Sequence, residues 1–513
     1  MNSLKTDDKL TIVNGTMEHR ISKKIIRKVP YFDRMLSHDL LESKENKVKL
    51  DFDERALKLI LNWLEFGLIF IEMDNVINLC TIADYFGVNN YLIDDCISHF
   101  HDNFSIEHLP VVIPQVTQTS KLINSGALNA FIRRYFMKIA NTTVWLDYPI
   151  ETIAYICKLD LMIYSEIQVF DSIMKWINFK ADSRKCYLKE LFKLIRWFYL
   201  EDKDLSKIKE NELVKSCNFE LELCSHDSSN CNYTIDRTKQ SYFVVLEESD
   251  DKDLRVKVLD HNFIPLINRV IQSDESMLLN LLHDEHTSDI FFDSGRKMIR
   301  IDWKQNKYRL LKYLTLKSYY PKIYRCFFED QKSEAYGKEM LPKYYGDHKT
   351  KGSLVEANDK FILVCHHEYW LKCWTNPTTE IINSHFDDTG YTYLTTVLDN
   401  SIYMIKNNFE FFQFNIDSKL EYKKVEIDRL KHFKIYNLLL TSNLACDDKV
   451  IIIDKSTKAV YCYNVETDKW SSMGRISNCD SESADGQRIS DQLLTFTSTL
   501  LSMDTIKSTM NMN

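Results

Sequence analysis

Val450-Ile451-Ile452-Ile453, a polar turn, then Val460-Tyr461-Cys462-Tyr463-Asn464-Val465-Glu466-Thr467-Asp468-Lys469-Trp470: this stretch decides how the second half of the chain is read. A β-branched run, the turn Asp454-Lys455-Ser456-Thr457-Lys458 and a second run rich in aromatic residues predict two paired strands. The unit recurs upstream. Ser401 to Ile405 precedes Phe411 to Asp417, and weaker copies pair Phe361 to Val364 with Leu371 to Trp374, Asp289 to Phe292 with Met298 to Trp303, and Tyr242 to Leu246 with Leu254 to Asp260. Anchored on Leu259, Ile301, Trp374, Phe414 and Tyr463, the copies lie 42, 73, 40 and 49 residues apart. A spacing of roughly 40 to 50 is the period of propeller blades. The interval of 73 leaves room for one hidden copy, which predicts a β-propeller of about six degenerate blades, with Leu493 to Met503 as a closing strand. A β-sandwich or paired sheets is the alternative, but a unit that cannot bury both faces alone favours the stacked ring.

Working outward toward the N-terminus, residues 202 to 237 turn polar and irregular, and residues 105 to about 215 show helical apolar spacing. Ser165 and Gln168 form a capping box ahead of Val169, Phe170, Ile173, Met174 and Trp176, and Leu188 to Leu200 predicts a second strong helix. The first hundred residues mix both patterns. Lys9 to Val13, Asn14-Gly15 and Thr16 to Ile21 predict a hairpin, and Val48 to Phe52 and Leu68 to Ile71 predict short strands. Ala56, Leu57, Ile60, Leu61 and Leu64 recur at helical spacing between Asp53 and the stop at Gly67, and further helices run to Gly87 and through Phe100.

At 513 residues, two to four domains are expected. Hydrophobic residues at 44% and charged residues at 27% are ordinary globular composition. A net charge of −8, with no basic stripe, argues against nucleic acid as a partner. Met1 to Lys9 contain no apolar core of a secretory signal, and no run approaches eighteen uncharged apolar residues, so a cytoplasmic or nuclear protein with no membrane partner is expected. The 13 cysteines are then expected to be thiols. Glycine numbers only 11, and neither phosphate-loop nor dinucleotide-binding glycine motif is present, so no cofactor is expected.

In the head, His19-Arg20 followed by Pro30-Tyr31-Phe32-Asp33-Arg34-Met35-Leu36, then Val48-Lys49-Leu50, Leu61 to Gly67, and Asp74-Asn75-Val76 through Ala83-Asp84-Tyr85-Phe86 resemble a BTB/POZ domain. Leu159 to Leu161, Ser165-Glu166, Val169-Phe170, Met174-Lys175-Trp176 and Leu191 to Leu200 with Arg196 are similar to a BACK domain. The chain thus resembles the BTB-BACK-kelch (kelch-like) proteins, though its propeller lacks the double glycine of kelch blades and only Tyr461 to Trp470 looks kelch-like. The resemblance implies a multidomain α+β protein: an α/β BTB head at 1–104, an all-helical BACK domain at 105–216, a linker at 217–236 and a divergent propeller at 237–513. It also implies a non-catalytic adaptor of a cullin-3 ubiquitin ligase, whose propeller holds a protein substrate. The family's hydrophobic-x-Glu cullin contact falls at Leu40-Leu41-Glu42, with Tyr31 and Phe104 beside it and Phe104 to Val112 extending the surface. Members of this kind begin with a helix and strand that swap across a homodimer. Only Met1 to Asp7 precede the first match here, so the swap element is expected to be missing.

Other constellations point to no chemistry. Cys217, Cys224 and Cys231 around His226 are spaced by seven, unlike zinc ligands. In Cys365-His366-His367 the two adjacent histidines would point to opposite faces of a strand, and His283 and His286 lack a third ligand, so no metal is expected. No nucleophile with a base can be nominated, so no catalytic residue is expected. Two rival readings are a scaffold or cytoskeleton-binding protein that does not engage cullin, and a propeller enzyme or sugar-binding protein. The latter requires polar side chains converging on the central channel.

Overall fold

The computed structural model describes residues 8–88, 90–216, 235–248, 253–328, 352–357, 359–365, 371–374, 379–382, 394–398, 400–406, 409–415, 422–425, 433–442, 449–476 and 492–510. They form two compact units: residues up to Phe131 with Asn280–Asp284, and Ile132–Leu279 with Glu285 onward. Most of the segment expected to be a linker, residues 217–234, lies outside the described residues.

In the first unit, β1 (Lys9–Asn14) and β2 (Met17–Ser22) form the expected hairpin, pairing Leu10 with Ile21 and Asn14 with Met17. β3 (Lys47–Leu50) adds to β1 in parallel, giving the order β2-β1-β3. Asp53 caps the Glu54–Phe66 helix by accepting from the Ala56 amide at 2.8 Å. Gly67 ends that helix at φ +76, a conformation that costs a residue with a Cβ. The helix buries Ala56, Leu57, Ile60 and Leu61, the stripe its spacing predicts. The strand expected at Leu68 to Ile71 is absent. Those residues pair with no other strand among the described residues, and Leu68 and Phe70 stand exposed. A β-branched apolar run without a neighbouring strand has no ladder to join.

The helices of the second unit include Ile150–Lys158, Ile167–Phe179 and Asp202–Glu210. At the capping box, the Gln168 Oε1 accepts from the Tyr164 and Ser165 amides, while the Ser165 hydroxyl accepts from Ile167 and donates to Asp204. The single helix expected over Leu188 to Leu200 is broken into Leu188–Phe192 and a 3-10 turn at Trp197–Tyr199. A tertiary demand explains the break. The Arg196 amide donates to buried Glu166, and its guanidinium reaches Asp160 at 2.5 Å and the Ile235 carbonyl at 2.6 Å.

Beyond residue 240 the chain is built from radial sheets. β4 (Ser241–Glu248), β5 (Leu254–Leu259) and β6 (Pro265–Ser273) start the first. The second has β7 (Thr287–Phe292), β8 (Lys297–Asp302) and β9 (Lys307–Leu311). β10 (Gly352–Glu356) and β11 (Phe361–Cys365) pair with each other, β12 (Leu371–Trp374) and β13 (Thr379–Ile382) likewise, and β12 lies beside β11 to complete the third. The fourth contains β14 (Leu394–Leu398), β15 (Ser401–Ile405), β16 (Phe411–Asn415) and β17 (Tyr422–Val425). The fifth contains β18 (Leu438–Ser442), β19 (Lys449–Asp454), β20 (Ala459–Asn464) and β21 (Lys469–Arg475). β22 (Gln492–Leu500) returns to pair antiparallel with β4, as expected of a closing strand.

This is a propeller closed by its last strand. Apolar clusters join the first sheet to the second, the third to the fourth, the fourth to the fifth, and the fifth back to the first. The second meets the third where Gly295 lies against the Leu354 carbonyl. The ring therefore closes with five sheets among the described residues, against the expected six. The 73-residue interval that suggested a hidden copy instead holds the Tyr313–Phe328 helix, followed by residues outside the described set.

The Ser125–Ala140 helix contributes Arg134 and Lys138, which flank Glu356 of β10 at 2.7 and 2.9 Å. Tyr135 packs on Phe327 and Phe361 beside them, and the Lys138 ammonium lies 4.8 Å over the Phe361 ring. Burial alone would push the Glu356 carboxyl up, but Arg134 and Lys138 outweigh it and hold the group below the usual carboxylate range. Its folded pKa is depressed, so its stabilisation is present above the unfolded value of about 4.3 and is lost as pH falls through the folded value. Glu356→Gln should therefore be less stable than the parent at neutral pH, with the gap in urea midpoint narrowing below about pH 4. A gap that stays constant down to pH 3 would contradict this coupling.

Candidate docking surface at the Leu40 turn

The Pro30–Ser37 helix opens on proline, whose fixed φ and missing N–H suit a first turn. It buries Phe32 and Met35 and ends at His38. The Leu40 amide donates to the His38 carbonyl at 2.9 Å, and the Ser43 hydroxyl lies 2.8 Å from both the His38 and the Leu40 carbonyls. Leu40 is the N-cap of the short Leu41–Glu45 helix, which Asn46 ends at φ 52. These bonds fix a knuckle that the sequence places between helix and β3. Leu40 is 45% and Leu41 65% exposed, and Glu42 is exposed beside them in the first turn. Exposed leucines on a well-held turn are apolar surface available to a partner.

Aromatic packing sets the floor. The Tyr31 ring lies edge-on to Phe32 at 5.0 Å and close to Tyr85 and Phe86 at 5.2 and 5.7 Å. Phe52 meets Tyr85 at 5.1 Å, and Asn14 holds the Phe52 backbone by bonds of 2.9 and 2.8 Å. Burial, the Tyr85 hydroxyl and the negative charge of Glu42 push the Tyr31 phenol up to about 12, so it stays a neutral donor at physiological pH.

Of the five residues singled out in the sequence, Leu40, Leu41 and Glu42 share the knuckle, and Tyr31 packs against Tyr85 and Phe86 within range of the Glu42 charge. Phe104 does not present a surface. It is 7% exposed and packs on Phe100 and Phe131 at 5.3 and 5.6 Å. Sequence reasoning missed Tyr85, which is 52% exposed beside Tyr31. The signal was available: Leu79, Cys80, Ala83 and Phe86 mark the buried face of its helix, and Tyr85 falls outside that stripe.

Among the described residues no group of three or more His, Cys, Asp or Glu side chains is placed to hold a metal ion. Cys217, Cys224, His226, Cys231, His366 and His367 lie outside the described residues. No helix among the described residues is long and apolar enough to cross a membrane.

A family model, "BACK: BTB And C-terminal Kelch", matches residues 116–210. The chain is similar to Kelch-like protein 6 of Homo sapiens, with 25% identity over 196 residues covering 36% of this chain and 30% of that protein. It is also similar to Kelch-like protein 40 of Xenopus laevis, at 26% over 36% of this chain and 31% of that one. Kelch repeat and BTB domain-containing protein 8 of Rattus norvegicus matches at 24%, over 37% and 34%. The matched stretch spans about a third of the length of these curated relatives. Among solved structures, apo AztD from Citrobacter koseri is 9% identical with a TM-score of 0.22, covering 50% of this chain and 98% of that one. The nidogen/laminin complex is 9% identical with a TM-score of 0.23, covering 51% and 98%. Likenesses at these TM-scores support no function.

Proposed function

We propose that this chain, which resembles the BTB-BACK-kelch adaptors through its match to the BACK model and to kelch-like proteins, is the substrate-recognition subunit of a cullin-3 ubiquitin ligase. The N-terminal unit docks the cullin through Leu40, Leu41 and Glu42, and the propeller captures a protein to be ubiquitylated. One observation carries the reading: two leucines and a carboxylate stand exposed on a knuckle held by backbone bonds. Burying one leucine in a partner groove is worth about 1.5–3 kcal/mol. A carboxylate at the rim adds selectivity by demanding a donor opposite it. Tyr31 and Tyr85 form the aromatic flank of the contact.

No residue in this scheme performs ubiquitin chemistry. The adaptor acts by holding substrate near the ligase, which raises effective concentration. The test is co-purification of the full chain with cullin-3 from cells. Leu40→Asp with Glu42→Lys should remove the cullin band while leaving thermal stability unchanged, since both side chains lie outside the core. Undiminished cullin in the double variant, or none with the parent chain, would overturn the proposal and favour a scaffold that does not engage cullin.

A further inference from the structure

Inner strands from neighbouring sheets bring side-chain hydroxyls to the propeller channel, where they line a cavity of about 60 Å³. Several of these hydroxyls bridge strands. The Ser294 hydroxyl accepts from the Thr395 amide at 2.8 Å, and the Thr396 and Ser442 hydroxyls lie 3.1 Å apart. Thr441 accepts from the Ser498 amide, and the Thr497 hydroxyl donates to the Phe291 carbonyl, each at 3.3 Å. Thr395 differs from these. It lines the same cavity and is 2% exposed, yet no group among the described residues lies within hydrogen-bond reach of its Oγ1. A buried hydroxyl of this kind costs stability unless something in the cavity bonds it.

The lining defines what that is. Glu356 is committed to Arg134 and Lys138, and Asp293 to Lys297 at 3.2 Å, so the two carboxylates in the wall are already compensated. Among the described residues no lysine or arginine lines the cavity, which leaves an anion without a counter-charge there. Phe496 and Leu440 supply apolar wall between the hydroxyls. Hydroxyls that both donate and accept, interleaved with hydrocarbon, match a molecule of the same alternation. The volume admits roughly four water positions, the displacement of a three- or four-carbon chain. We propose that the channel is a binding site for a small uncharged polyol, hydrogen-bonded by Thr395.

Equilibrium dialysis of the full-length chain against radiolabelled erythritol tests this. The expected result is saturable uptake of one molecule per chain, not displaced by inorganic phosphate. Thr395→Val keeps the shape and removes the hydroxyl. It should weaken uptake roughly tenfold or more while leaving the Tm in polyol-free buffer equal to or above the parent's, because an uncompensated polar group has gone. Thr395→Ser should retain binding. Uptake by the parent chain that rises linearly without saturation would overturn the proposal, the hydroxyl then being served by water alone. Saturable uptake that Thr395→Val leaves unchanged would overturn it equally.

Discussion

Replacing Arg237 with alanine should destabilise the second unit by about 3–5 kcal/mol, the usual effect of stranding one partner of a buried ion pair. Arg237 and Glu166 are both fully buried, joined by bonds of 2.5 and 2.6 Å in fork-to-fork geometry. The remaining guanidinium donors serve the carbonyls of Cys157, Leu159 and Leu194. Alanine removes all of these and leaves the Glu166 carboxylate in a dry site with the Arg196 amide as its other donor. Urea denaturation of the full chain measures the loss. Changing both partners to methionine should recover part of it, because no charge is then stranded, but not all, since three carbonyls still lose their donor. A single Arg237→Ala variant within about 1 kcal/mol of the parent would show that the pair behaves as an exposed ion pair and not as a buried one.

Gly295→Ala should be at least comparably damaging. Gly295 sits at φ +77, and a Cβ built there would lie 1.8 Å from the Leu354 carbonyl oxygen and 2.5 Å from its carbon. Both are backbone atoms of β10, so no side chain can turn aside. The Gly295 carbonyl is also the acceptor of the Tyr320 hydroxyl, which ties the Tyr313–Phe328 helix to the same turn. The conformational penalty alone is about 1–2 kcal/mol, and separating the second and third blades adds the packing they share. The expected total is about 4 kcal/mol or more, read as a large fall in the urea midpoint and as early proteolytic cleavage. A midpoint close to the parent's would mean that the junction yields freely.

The parts of the fold legible in the sequence are those decided by neighbours along the chain. Asn14-Gly15 between alternating runs, Asp53 and Gly67 around an apolar stripe, and the repeated strand pairs each carry their own local signal. The failures share a cause. Leu188 to Leu200 has helical spacing, but Glu166, more than twenty residues away, claims the Arg196 amide and ends the helix early. Leu68 to Ile71 has strand composition, but strand formation needs a second segment that sequence composition does not supply. The count of six blades treated the interval from Ile301 to Trp374 as repeat, where the chain inserts a helix that buries Tyr319 and Tyr320.

The same distinction holds for the surfaces. Leu40, Leu41 and Glu42 could be singled out because the hydrophobic-x-Glu motif of the family this chain resembles falls on them, and all three side chains face outward. Tyr85 needed the helix stripe to be compared with its neighbour Tyr31 across fifty residues. The hydroxyls of the channel sit on strands far apart in sequence, so their convergence belongs to the ring and to no local pattern.

Closure of that ring by β22 has a temporal side. Synthesis is vectorial, so β4 leaves the ribosome some 250 residues before the strand that covers its inner edge. Throughout that interval its unpaired amides and carbonyls are an open template for foreign strands. Translation that stalls before Gln492 leaves the edge of β4 open. The fold thus makes arrival of the chain at Leu500 a checkpoint, at which a nascent polypeptide either seals itself or presents the kind of edge that chaperones and proteases detect.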